Sequence, residues 1–211
     1  MEVKNVKMAR DSRIQARLPS VPLSMLVFLL LSSLPFSCLG HLVANLAFGT
    51  GVLNYPTGIA VDPTSTALFV TDSNNNRVLR FDNRNTLTSA STPSFAFGQP
   101  SLSGNKANWD SVSPHASARG LNFPTGITVD AKGTLWVSDT NNGRVLRFNN
   151  AASVTTMPLA ADGVLGWPNF TASIESTVYL SGIPDTFENP IGIRTNGSDL
   201  WVADSGQATQ R

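Results

Sequence analysis

The sequence predicts an all-β fold built from repeated four-stranded units, and three observations carry the prediction. Residues 53–83 and 121–150 are near-copies and a third, partial copy begins at Phe187, so that Pro56, Pro124 and Pro190 recur at spacings of 68 and 66 residues. A fixed period of this size signals a repeat architecture. Within each copy, Ile59 with Val61, Ile127 with Val129, and Ile191 with Ile193 keep the two-residue period of a strand with one buried face. The strand that follows is apolar on both faces, since Phe69, Trp136 and Trp201 point opposite to their Leu and Val neighbours. Such a strand must be covered on both sides, and a sheet stacked between two like sheets meets that demand. Trp136 and Trp201 are therefore expected in the core between units.

The remaining elements follow in order. The second strand of each unit is 68–70, 135–137 and 200–202, and the third is the RVLRF run at 77–81 and 144–148. Two arginines in each RVLRF run predict a strand that approaches solvent. The linkers 63–67, 131–134 and 197–199 shorten from copy to copy without disturbing their flanks, which marks surface turns. Residues 72–76 and 139–143 are rich in Asp, Asn and Ser or Thr, whose side chains bond their own backbone and tolerate left-handed conformations. A fourth strand is expected at 95–97 before Gly98 and at 164–165 before Gly166. Four antiparallel strands per unit, arranged radially, make a propeller blade.

The runs PTGIAVD with LFVTDSNNNRVLRF, and PTGITVD with LWVSDTNNGRVLRF, resemble NHL-repeat β-propellers. The resemblance covers nearly all of residues 53–205 apart from long inserts. It implies a scaffold whose members bind proteins, RNA, glycans or small substrates, so it specifies a fold and not a function.

Ahead of the repeats, Lys4, Lys7, Arg10, Arg13 and Arg17 precede an apolar run at 23–31, then Pro35 and the small residues Cys38 and Gly40. This order describes a secretory signal peptide over 1–40 cleaved between Gly40 and His41. The apolar run is shorter than the roughly 20 residues that span a bilayer, so a membrane role is expected only if the segment stays on as a signal-anchor. Residues 41–211 form the propeller segment, with repeats near 53–98, 121–166 and 187–211. Ala47-Phe48-Gly49 matches the fourth-strand pattern and is expected to complete the last blade of a ring. The segment holds about two and a half blades where propellers close with roughly 4 to 8. An incomplete propeller is expected: a fragment of a longer chain, or copies assembled into a shared ring.

The 41–211 segment carries ten Lys and Arg against twelve Asp and Glu, a net charge of −2, which argues against nucleic acid as a partner. Its lack of cysteine removes any disulfide framework. Two inserts, 99–120 and 167–186, exceed the length of ordinary connections and are the expected seat of binding specificity. Asn169-Phe-Thr171 and Asn196-Gly-Ser198 are N-glycosylation sequons, with Asn169 favoured because the tight Asn-Gly turn constrains Asn196.

Asp72, Asp139 and Asp204 recur at the end of the second strand and could form a ring of metal ligands, but the Ser, Thr and Asn that follow read as turn caps. Arg77 and Arg144 are expected to pair with Asp72 and Asp139 across the hairpin, for roughly 0.2–1 kcal/mol each. Gly58, Gly126 and Gly192 are expected where backbones approach closely near the axis. His41 and His115 are the only histidines, and HExxH and GxSxG motifs are absent, so zinc ligation and nucleophilic triads lack their usual parts. No catalytic residue, cofactor or metal site is expected. The sequence reading is a secreted or cell-surface, non-enzymatic binding scaffold with a protein or glycan partner. The alternative is part of a metal-dependent propeller hydrolase or lyase whose central site further blades complete.

Overall fold

A computed structural model describes residues 53–110, 116–171 and 186–205. The 1–40 signal segment with its Gly40/His41 cleavage point, the strand expected at 47–49, His115 and the end of the third repeat lie outside the described residues. Three antiparallel sheets follow one another along the chain. The first is β1 (Pro56–Val61), β2 (Leu68–Asp72), β3 (Arg77–Phe81) and β4 (Phe95–Phe97), paired in that order. The second repeats it with β5 (Pro124–Val129), β6 (Leu135–Asp139), β7 (Arg144–Phe148) and β8 (Gly163–Leu165). The third holds β9 (Pro190–Thr195) and β10 (Leu200–Asp204).

The register repeats as closely as the sequence. In both four-stranded sheets the inner strand bulges just after its proline, and the Asp that ends the second strand stands opposite the Arg that begins the third. Each hairpin is turned by a short 3-10 segment, Ser73–Asn75 or Thr140–Asn142. The turn then needs one left-handed residue, supplied by Asn76 (φ 53°) in the first unit and Gly143 (φ 60°) in the second. Asparagine and glycine are the residues for which that conformation is cheapest.

The sheets stack as the doubly apolar strand requires. Phe69 is fully buried and packs in one cluster with Leu135, Val137, Leu146 and Phe148 of the second sheet, while Leu68, Val70, Leu79 and Phe81 form a separate cluster on the opposite face. Burying side chains of this size stabilises by about 1.5–3 kcal/mol each. At the outer side Phe97 meets Phe148 with centroids 5.1 Å apart, edge to face, a geometry worth more than its buried area alone.

Two expectations about the core are corrected. Trp136 is only half-buried, with its indole Nε1 donating to Asp130 Oδ2 at 3.3 Å, and Trp201 is 53% exposed. The reason is positional: Phe69 faces a complete sheet, Trp136 faces the two described strands of the third, and no described element packs over Trp201. Three of the four RVLRF arginines, Arg77, Arg80 and Arg144, are also buried where solvent was expected, and Arg147 alone is half-buried.

Candidate functional site

The inner strands lie close enough to touch. An ideal Cβ on Gly58 would sit 2.5 Å from the Thr125 carbonyl oxygen, and one on Gly126 would sit 2.6 Å from that of Ile191. Real Cβ atoms do not approach so near, so glycine is required at both positions by close backbone approach. Gly192 differs, since its nearest neighbour would be Ala203 Cβ at 3.4 Å.

Hydroxyls stitch the same seam. Thr57 Oγ1 donates to Thr125 O (3.0 Å) and Ser73 Oγ to Pro124 O (2.6 Å). One unit later Thr125 Oγ1 donates to Ile191 O (2.9 Å) and Thr140 Oγ1 to Pro190 O (2.8 Å). Each unit thus uses one hydroxyl after its proline and one after its aspartate to satisfy carbonyls of the next inner strand, which a bulge would otherwise leave open.

At one end of the sheets the hairpin turns, the loops leading into the inner strands and the long inserts come together. Asp139 is the hub of the second unit: it accepts from Asn122 N (2.7 Å), Asn142 Nδ2 (2.7 Å) and Arg144 Nε (2.7 Å). Asp72 repeats the set with Asn54 N (2.6 Å), Asn75 Nδ2 (2.9 Å) and Arg77 Nε (2.6 Å). Asp204 receives Asn189 N at 2.7 Å. These carboxylates accept from N–H donors, and Asp72 and Asp139 do not cap the turn backbone as the sequence suggested. Among the described residues no group of three or more His, Cys, Asp or Glu is placed to hold a metal.

The expected Asp–Arg pairs do form, but as buried pairs, so the small surface value does not apply to them. In a dry setting the gain is offset by desolvation, and the large effect is the cost of leaving one charge without its partner. The arginines use their other nitrogens on the inserts. Arg77 Nη1 donates to the carbonyls of Leu102 and Gly104, and Arg144 donates to those of Ser117, Gly120 and Phe170. This anchoring was not read from the sequence, because the carbonyls it uses carry no residue signature.

Two aromatics stand out on this loop face. Tyr55 (φ 58°) and Phe123 (φ 52°), each just before its proline, hold a left-handed backbone that is rare for bulky residues. Their rings stack with centroids 6.0 Å apart. Phe123 is held there by a bond from its backbone N–H to Asn76 Oδ1 at 2.9 Å. Asn169 and Asn196 are both exposed, and Asn196 Oδ1 accepts from the backbone of Ser198 and Asp199 while its Nδ2 donates to Asp199.

The NHL repeat family matches the chain at residues 53–81 and 121–148, covering β1 to β3 and β5 to β7. Two of the three units thus match the NHL repeat. Each match covers the first three strands of a four-stranded antiparallel sheet, and the third sheet follows the same register over its two described strands. Among solved structures this chain is similar to a luciferin-regenerating enzyme, at 18% identity over 76% of this chain and 38% of that one, TM-score 0.42. It is also similar to a streptogramin B lyase, at 18% identity over 71% of this chain and 34% of that one, TM-score 0.38. A third is virginiamycin B lyase from Staphylococcus aureus, at 18% identity over 71% and 48% of the two chains, TM-score 0.32. The chain therefore spans less than half the length of these structures. No curated protein matches it.

Proposed function

We propose that this chain is a non-enzymatic extracellular binding scaffold whose specificity resides in the long inserts on the loop face. The observation that carries this reading is the use of buried Arg77 and Arg144 to hold insert carbonyls, which gives a segment of irregular backbone a fixed shape. Binding residues are disproportionately found on loops positioned by a rigid scaffold. The partner is a protein or a glycan, and the net charge of −2 over 41–211 makes nucleic acid a poor fit. Export rests on the basic lead and apolar run of 1–40, and the exposure of Asn169 and Asn196 suits glycosylation in a eukaryotic secretory pathway.

The test immobilises the secreted chain on arrays of extracellular proteins and glycans, beside a variant in which residues 101–107 are replaced by a Gly-Ser linker. Retention of a ligand by the native chain and its loss by the variant, with the sheets still folded by circular dichroism, is the expected result. Turnover of an ester, lactone or cyclic peptide substrate on addition of a divalent cation would overturn the non-enzymatic reading.

A further inference from the structure

We propose that the stacked Tyr55–Phe123 pair, with the amide pairs Asn54–Asn74 and Asn122–Asn141 beside it, is a binding site for a neutral oligosaccharide. The proposal goes beyond the scaffold reading, since all six residues lie outside the inserts.

Tyr55 is 57% exposed, the most of any large apolar side chain among the described residues, although it sits in a loop that is otherwise fixed. Its exposure is enforced. Asp72 Oδ1 binds the N–H of Asn54, the residue before it, and the Asn54 carbonyl accepts from Asn74 N at 3.2 Å. In the second unit Asp139 binds Asn122 N, Asn122 O accepts from Asn141 N at 3.2 Å, and Asn76 binds Phe123 N. A left-handed backbone is strained at a bulky residue. Here that strain leaves the Tyr55 ring exposed and the Phe123 ring stacked on it half-buried, over the seam between units.

Side-chain amides flank both rings. Asn74 Nδ2 donates to Asn54 Oδ1 at 3.1 Å and Asn141 Nδ2 to Asn122 Oδ1 at 3.3 Å. Each pair spends one N–H and one lone pair on itself, so a second N–H and further lone pairs stay at the surface. The hydroxyls of Thr57 and Thr125 follow two residues after each asparagine–aromatic step, one position past the proline. Aromatic faces match the C–H face of a sugar ring, and amides that both donate and accept match its hydroxyls. None of these side chains carries charge near neutral pH, which disfavours acidic glycans, nucleic acids and strongly charged peptides. In the third repeat Glu188 and Asn189 replace the asparagine and the aromatic, so the platform spans one seam only.

The test uses immobilised neutral oligosaccharides of the gluco, manno, galacto and xylo series with the secreted chain. Tyr55→Asn and Phe123→Asn remove each ring yet keep a side chain that accepts a left-handed backbone, as Asn76 does in the first hairpin, so both variants should fold. The expected result is retention by at least one series, insensitive to added salt, and weakened roughly tenfold or more in each variant. The proposal is overturned if no series is retained, if both variants bind as well as the native chain, or if salt abolishes binding. Retention of no oligosaccharide, with a protein ligand still held through 101–107, would sink this site and leave the scaffold reading standing. Glycan binding followed by cleavage would do the reverse.

Discussion

Asp139 and Arg144 face each other across β6 and β7 at 2.7 Å, and neither side chain has exposed surface. Arg144 also reaches both inserts, through Ser117 and Gly120 on one side and Phe170 on the other. Asp139→Ala should therefore cost about 3–5 kcal/mol, the value for orphaning a buried charge. Arg144→Lys should recover little, because one ammonium cannot span four acceptors in the geometry of a guanidinium fork. Chemical denaturation of the three proteins checks this; a lysine variant as stable as the native chain would show that the fork geometry is dispensable.

The inner seam gives a prediction with an internal control. Gly58→Ala and Gly126→Ala each place a methyl against a carbonyl oxygen of the next strand, and should destabilise by about 1–3 kcal/mol through overpacking. Gly192→Ala meets only Ala203 Cβ and should be tolerated. Thermal melts of the three variants decide the point.

Aromatic truncation should follow the order of burial. Phe69→Ala is expected to cost about 3–5 kcal/mol, Trp136→Ala less, and Trp201→Ala least. Equal losses for Phe69 and Trp201 would mean that Trp201 is covered in solution by something other than the described strands.

Acidification should report on Asp130. Burial acts to raise its carboxyl, but the backbone N–H groups of Thr134 and Lys132, the Trp136 indole and the Thr134 hydroxyl outweigh that and hold it below the usual carboxylate value. A folded-state value below the unfolded one means this stabilisation is complete above the ordinary carboxylate range and is lost as pH falls through the lower, folded-state value. Trp136 fluorescence should change over that acidic window, and Asp130→Asn should remove the change.

Processing is open to direct measurement. In a eukaryotic host the secreted chain should begin at His41 and lose mass on glycosidase treatment, with Asn169→Gln removing more of the shift than Asn196→Gln. Material that begins at Met1 in a membrane fraction would favour a retained anchor.

The fold was legible because its signals are periodic. The spacing of Pro56, Pro124 and Pro190, the alternation around Ile59 and Ile127, and the doubly apolar Leu68-Phe69-Val70 all report local geometry that side-chain type dictates. The Asp–Arg pairing across the hairpin was legible for the same reason. Its burial was not, since arginine in a strand reads as solvent-facing until the insert that covers it is placed. The left-handed Tyr55 and Phe123 were hidden because their conformation runs against the preference of the residue, and is imposed by Asp72, Asn76 and Asp139 from distant positions in the chain. The hydroxyl seam did leave a trace: Thr57 with Ser73 and Thr125 with Thr140 recur at matching places, a pattern visible once strand neighbours are known.

The contrast between the two edges of a sheet has a geometric consequence. At the inner edge Gly58 and Gly126 let backbones meet almost without filling, while toward the outer side Phe97 of β4 and Phe148 of β7 fill the space between the sheets with two aromatic rings. Each unit is therefore a wedge, and the difference between glycine and phenylalanine sets its taper. The number of wedges that complete a circle is written in that taper, so a larger inner residue or a smaller outer one would alter the circumference before it altered any single sheet.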